Sequence, residues 1–335
     1  MRPDETIHTG ARLRAPFPYA GGKSRVADVL WARLGADVPN YVEPFAGSLA
    51  ALLARPGGPG TTETVNDKDG LLANFWRAVS RDPDAVAAAA DWPVNENDLH
   101  ARHAWLVGRR DGLTARLEGD PEFYDARAAG WWVWGACAWI GSGWCSGRGP
   151  WRAIDGELVD TRKLPHVGDA GRGISRKLPH VGNAGRGINR KLPHVGGAGR
   201  GDLYAYMRAL QARLRRVRAC SGPWERVMGA SVTTRLGRTA VLLDPPYDDG
   251  EHAWDYAAGG GVALASRAWA WENGDNPLLR IAYCGYDCGE AWPAGWTTYR
   301  WKAHGGYGSQ GNGRGRANAA RETIWFSPHC SNPGA

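Results

Sequence analysis

Residues 239–247 read Thr239-Ala240-Val241-Leu242-Leu243-Asp244-Pro245-Pro246-Tyr247. Five residues without a charge, TAVLL, predict a short strand buried on both faces, and that strand delivers Asp244 at its carboxyl end. Open α/β sheets place their functional groups there. Pro245 and Pro246 remove two backbone N–H donors and fix φ twice, leaving a rigid row of acceptors made of one carboxylate and the peptide carbonyls.

Such a row suits an exocyclic amine. The amine offers two N–H donors and a poorly available lone pair, and acceptors that hold both hydrogens turn the lone pair toward an electrophile. No strong base is needed first, because the alkylated nitrogen can lose its proton afterwards. Tyr247 supplies a flat face for a base. Alone, the tetrapeptide also reads as a simple turn.

Upstream, the chain alternates strand and helix. Asn40 to Phe45 reads as a strand closed by Pro44, with a helix starting over Ser48 to Ala54. Thr64-Val65 is a second strand ended by Asn66-Asp67, and Leu71 to Val79 is a helix with Leu72, Phe75, Trp76 and Val79 on one face. Downstream, Leu278 to Tyr283 and Glu322 to Phe326 predict two more strands. This series is the α/β signature.

Three further segments carry chemistry. In Pro18-Tyr19-Ala20-Gly21-Gly22-Lys23 the paired glycines admit a ligand to the backbone, and Lys23 can meet a carboxylate. In Tyr41-Val42-Glu43-Pro44-Phe45-Ala46-Gly47 the glycine falls where strand turns to helix, so a cofactor can lie against backbone. Asp67, after the second strand, is placed to accept both ribose hydroxyls of a nucleoside.

In this order the segments resemble the Dam-like class of S-adenosylmethionine-dependent DNA adenine-N6 methyltransferases. Those enzymes share an aromatic-x-Gly-Gly-Lys, a Glu-Pro-Phe-x-Gly turn, an Asp after the next strand, a variable insert and Asp-Pro-Pro-Tyr. The resemblance covers roughly residues 14–80 and 238–330. It implies a Rossmann-like methyltransferase sheet with an inserted, mainly helical target-recognition domain. The catalytic domain is expected at 10–85 and 225–330, and the insert at 86–224.

By position, Tyr19, Lys23, Asp67 and Asp244 correspond to cofactor contacts, with Gly22, Glu43, Phe45 and Gly47 completing that site. Asp244, Pro245, Pro246 and Tyr247 correspond to the pocket for a flipped adenine. S-adenosylmethionine is the implied methyl donor, double-stranded DNA the implied partner, and no metal is required. One departure concerns the turn itself. Relatives carry a second glycine in Phe-x-Gly-x-Gly, where this chain has Phe45-Ala46-Gly47-Ser48-Leu49.

The middle of the chain is less matched. From about Asp82 to Trp151 it reads as helical and Trp-rich. Ala128 to Gly147 lacks charge, but five Gly and two Ser argue for a buried helix entering a Gly-rich loop, not a membrane span. Then RKLPHVG-x-AGRG occurs three times at a period of 14 within 162–201. Gly and Pro in every unit exclude continuous helix. Arg162, Lys163, Arg176, Lys177, Arg190 and Lys191, with Arg148 before them, are candidate DNA contacts; a duplicated surface loop is the other reading. Leu203, Tyr206, Met207, Leu210, Leu214 and Val217 form an amphipathic stripe, with Asp202 as its cap and Arg208, Arg213, Arg215, Arg216 and Arg218 on the opposite, solvated face.

Bulk properties agree with this reading. A formal charge of +7 over 335 residues fits an acidic polymer, and 35 Arg against 6 Lys favours bidentate phosphate contacts, though a high-GC genome also gives that bias. Cysteine spacings suggest reduced thiols and no zinc site, and the N-terminus suggests no signal peptide. The enzyme is expected to be cytoplasmic, in a bacterial or phage-infected cell, and monomeric when free. Any restriction nuclease would be a separate chain. Cytosine-N4 transfer, adenine-N6 transfer in RNA, and a catalytically dead DNA-binding module remain as alternatives.

Overall fold

The computed structural model describes residues 13–19, 22–56, 62–139, 144–145, 151–154, 157–160, 203–246, 261–287, 289–301 and 322–332. A seven-stranded sheet organises them. Its strands are β1 (Asn40–Glu43), β2 (Thr62–Asp67), β5 (Val217–Ser221), β6 (Thr239–Leu243), β7 (Leu279–Tyr286), β8 (Thr297–Arg300) and β9 (Glu322–Phe326). They lie in the order β5-β2-β1-β6-β7-β9-β8. The first five pair in parallel, whereas β9 runs antiparallel between β7 and β8.

Parallel strands covered on both faces need continuous apolar sequence. All five residues of β6 are buried, as are all four of β1 and all five of β9. The strands expected at 239–243 and 322–326 match residue for residue. A separate two-stranded antiparallel sheet joins β3 (Trp151–Ile154) to β4 (Glu157–Asp160).

Helices α1 (Ala27–Leu34), α2 (Ala50–Leu53), α3 (Gly70–Arg81) and α7 (Leu203–Leu214) pack with the sheet into one core. The core extends through α4 (Pro83–Ala90), α5 (Glu96–Gly119) and α6 (Ala126–Ala138). The uncharged stretch is a buried helix from Ala128 to Ala138, while most of the Gly-rich segment expected after it lies outside the described residues; among the described residues no helix is long and apolar enough to cross a membrane. Helices α4 and α6 approach closely at Gly130, where a Cβ would stand 2.4 Å from that of Ala89. The last helix, α8 (Val262–Asn273), covers the other face of the sheet with Trp224, Tyr283 and Trp325.

Two expectations change. The stripe over 203–217 does not run on as one helix: α7 ends at Leu214, and Val217 starts β5, paired with Glu63 of β2. Residues 217–221 therefore belong to the sheet. The arginine face of α7 is also not wholly solvated. Arg208 pairs with Asp84 at 2.7 Å, and Arg213 reaches both oxygens of Glu63 at 2.6 and 2.8 Å. Asp202 lies outside the described residues.

Glu63 also takes Nη1 of Arg55 at 3.2 Å, and both side chains are buried. Removing the carboxylate leaves two guanidinium groups facing each other, one of them out of water. Glu63→Ala is therefore expected to cost about 3 kcal/mol of stability in urea unfolding, with Arg213→Ala costing less because that side chain is nearer solvent.

Candidate active site

The site lies where β1, β2, β5 and β6 end. β1 runs out at Glu43, and the chain crosses Pro44-Phe45-Ala46-Gly47 before α2. Three groups hold this crossing. The Ala46 N–H donates to the Asn66 carbonyl at 2.9 Å, the Gly47 N–H donates to Oδ2 of Asp67 at 2.9 Å, and Nε1 of Trp76 donates to the Gly47 carbonyl at 3.3 Å. Gly47 has φ +47°, and a Cβ there would lie 2.6 Å from the Tyr19 ring. Tyr19 thus rests on the bare backbone of the turn.

Leu49 stands where relatives have their second glycine. It adopts φ 58° and ψ 24°, left-handed, with its side chain buried. The Leu49 N–H donates to the Ala46 carbonyl at 2.8 Å.

The end of β2 joins the neighbouring loops. Nδ2 of Asn66 donates to the Pro44 and Gly222 carbonyls at 3.1 and 3.0 Å. Both oxygens of Asp67 are engaged, one by Gly47 and the other by the Asp69 N–H at 3.0 Å. Burial pushes the Asp67 carboxyl up to about 6, against the pull of these backbone donors. Asp69 caps α3 through the Leu71 and Leu72 N–H groups.

Asp244 leaves β6 one strand away. Its Oδ2 meets Nζ of Lys23 at 2.7 Å, with Lys23 almost wholly buried. Burial works against the Lys23 charge, but Asp244, Cys284 and Glu322 together outweigh it, so the ammonium is held more firmly than usual. The carboxylate that Lys23 meets is therefore the protein's own. Burial pushes Glu43 up to about 8, although the Tyr41 hydroxyl donates to its Oε2 at 3.0 Å.

One cavity of about 250 Å³ collects these groups. Tyr19, Gly22, Lys23, Glu43, Phe45, Gly47, Asp67, Asp244, Pro245 and Pro246 all line it. Tyr247, Arg148, Arg162, Lys163, Arg176, Lys177, Arg190 and Lys191 lie outside the described residues. Among the described residues no cluster of three or more His, Cys, Asp or Glu could hold a metal ion.

Sequence reading missed the wall after β5, formed by Gly222-Pro223-Trp224-Glu225. The Trp224 ring stacks on Phe45 at 5.9 Å and 29°, and its buried Nε1 has no hydrogen-bond partner. A Gly-Pro pair just past a strand was the available signal, once 217–221 is known to be a strand.

The contact between Tyr19 and Gly47 is directly testable. Gly47→Ala is expected to cost about 1–2 kcal/mol, from a side chain at positive φ and from displacement of the ring. In a double-mutant cycle Tyr19→Ala removes the second part of that cost, and strictly additive effects would show that ring and turn do not press on each other.

Residues 19–105 match the family model described as D12 class N6 adenine-specific DNA methyltransferase. No curated protein matches the chain. The matched span holds the Tyr19 and Lys23 segment, the Glu43 to Gly47 turn and Asp67, and Asp-Pro-Pro follows on the strand beside β1. Over this span, about a quarter of the chain, the sequence is similar to the D12 class of N6 adenine-specific DNA methyltransferases.

Proposed function

We propose that the protein transfers a methyl group from S-adenosylmethionine to N6 of adenine within a specific sequence of duplex DNA. The target base is turned out of the stack into the pocket at Asp244-Pro245-Pro246-Tyr247. One observation carries the reading: Asp244 is anchored by a buried lysine on the rim of the same cavity that Tyr19, Glu43, Gly47 and Asp67 line.

The residues present suit the cofactor. The turn at Gly47 lines the cavity with the Tyr19 ring laid on its backbone, and Trp224 offers an indole N–H with no acceptor of its own. Phe45 and Trp224 give aromatic surface for a purine, beside Asp67 for the ribose. Asp67 keeps a lone pair on each oxygen after its two backbone bonds. When bound, the cofactor supplies an electrophilic methyl group on a sulfonium.

The chain's own work is at the amine. Lys23 favours ionised Asp244, which makes it an acceptor and not a donor. That carboxylate and the carbonyl beside Pro245 hold the two amine hydrogens and direct the lone pair outward. The prolines contribute no N–H to compete. After transfer the nitrogen is cationic and acidic, and Asp244 is placed to take its proton.

We assign target reading to the span between α3 and α7, which includes the β3–β4 pair and the three repeats. In this reading Arg148 and the paired basic residues of each repeat track phosphates. The enzyme works as a monomer, without a metal, inside the cell that holds its DNA.

Two measurements test the proposal. Labelled S-adenosylmethionine and unmethylated duplex DNA, digested to nucleosides, are expected to give label in N6-methyladenine. Label in N4-methylcytosine or no label overturns the reading. Asp244→Ala is expected to lower transfer at least 10³-fold, on the order of 4 kcal/mol, in a chain that still unfolds cooperatively but melts lower, because Lys23 is left buried without its carboxylate. Separately, deleting residues 176–189 is expected to weaken DNA binding and reduce the slope of log affinity against log salt by about 1–3, one phosphate for each basic residue lost.

A further inference from the structure

We propose that Glu43 is the acceptor for the α-ammonium group of the methyl donor, and that it releases a proton to solvent as that group docks. This rests on the S-adenosylmethionine reading above and adds to it a residue role and a proton count.

Glu43 is the last residue of β1. Its side chain is 4% exposed and faces the cavity. Around it stand Tyr41 on the same strand, Lys23 before α1, Asp244 after β6, Cys284 on β7 and Glu322 on β9. Arg55 and Glu63 lie beyond Tyr41. Three carboxyl groups therefore share one near ammonium, and that ammonium is taken by Asp244 at 2.7 Å. Glu43 has two donors without charge, the Tyr41 hydroxyl and the Leu52 backbone N–H.

A buried carboxyl in this position resolves the conflict by keeping its proton. Burial first, and the charge of Asp244 with it, push it up to about 8 against the hydrogen bonds from Tyr41 and Leu52 and the charge of Lys23, so it is protonated near neutral pH. A cavity-facing acid whose nearest ammonium, Lys23, is already paired with Asp244 accommodates a ligand cation that also brings N–H donors. The α-ammonium has both properties. The sulfonium has no N–H, and its methyl group must face Asp244. The exchange balances: the neutral carboxylic acid loses H⁺ to solvent, and the resulting carboxylate pairs with the incoming ammonium, whose own protons stay in place.

Stability follows with a definite sign. Glu43 titrates near 4.5 in the unfolded chain and near 8 in the folded one. The fold therefore loses stability from this group as pH rises from 4.5 to 8 and is level above that. Glu43→Gln, which keeps the shape of the neutral acid, escapes this loss and is expected to melt above wild type at pH 8 and close to it at pH 4.5.

The test is calorimetry of the full chain with S-adenosylmethionine at pH 6.5, in two buffers of different ionisation enthalpy. At that pH the ligand's own amine is protonated. Wild type is expected to release about one proton per cofactor bound. Glu43→Gln is expected to bind at least about tenfold more weakly, as loss of a charge-assisted contact dictates, with no proton release. The analogue 5′-methylthioadenosine lacks the amino-acid end and is expected to bind both forms alike without releasing a proton. Tight cofactor binding with no proton release, or equal release with the analogue, overturns the role of Glu43 and leaves the methyl-donor reading standing. No binding of S-adenosylmethionine to wild type overturns both. A variant that melts below wild type at pH 8 overturns the protonated state.

Discussion

Asn66 and Asp67 fix the carboxyl ends of three parallel strands relative to one another. Their backbone belongs to β2, their side chains reach Pro44 and Gly47 after β1, and Asn66 also holds Gly222 after β5. A parallel sheet gives its strand ends no mutual hydrogen bonds beyond the ladder, so the loops above it are free unless side chains tie them. Here two adjacent polar residues do so. Both sit on the strand between the two loops they hold. The cavity exists because those loops are kept apart at a set distance, with Tyr19 laid over one of them.

The electrostatics follow from the same geometry. Strand ends converge, so the residues just past them crowd together. Lys23, Glu43, Asp244, Cys284 and Glu322 come from five different segments and crowd together, all but the partly exposed Asp244 out of water. Such a cluster does not favour folding. It is tolerable because Lys23 neutralises one carboxylate and Glu43 holds its proton. In the proposed roles, the arrangement that pairs Asp244 with Lys23 leaves Glu43 to keep its proton, and burial together with the difference in partners sets the two carboxyls apart.

Much of this was legible in sequence, for physical reasons. β1, β6 and β9 are wholly buried, so their composition is unambiguous. Asp244, Lys23, Glu43, Gly47 and Asp67 stand beside such strands, or beside glycines, and those landmarks located them. β5 left no such mark. It is an edge strand whose Arg218 and Ala219 are exposed, and Val217 falls by coincidence on the helical stripe of α7. With β5 unseen, the wall at Trp224 had no strand to follow and was one tryptophan among 18. The Arg213–Glu63 contact was invisible for a related reason, since it joins residues 150 apart through that same edge.

Leu49 shows how a departure from a family pattern can leave the backbone in place. A non-glycine residue in the left-handed region costs roughly 1–2 kcal/mol. Burying a leucine side chain returns on the order of 2 kcal/mol, and Leu49 is 1% exposed. The two terms are comparable, so the turn keeps a conformation that glycine would adopt freely, with the side chain anchored in the core instead of absent. The N–H of Leu49 closes the turn on Ala46, and its carbonyl starts α2 by accepting from Leu53. Gly47 has no such exchange open to it, because its missing side chain is the space that the Tyr19 ring occupies. Of the two glycines in the pattern, the one retained is the one whose absent Cβ makes room for another group, and the one replaced faces the interior.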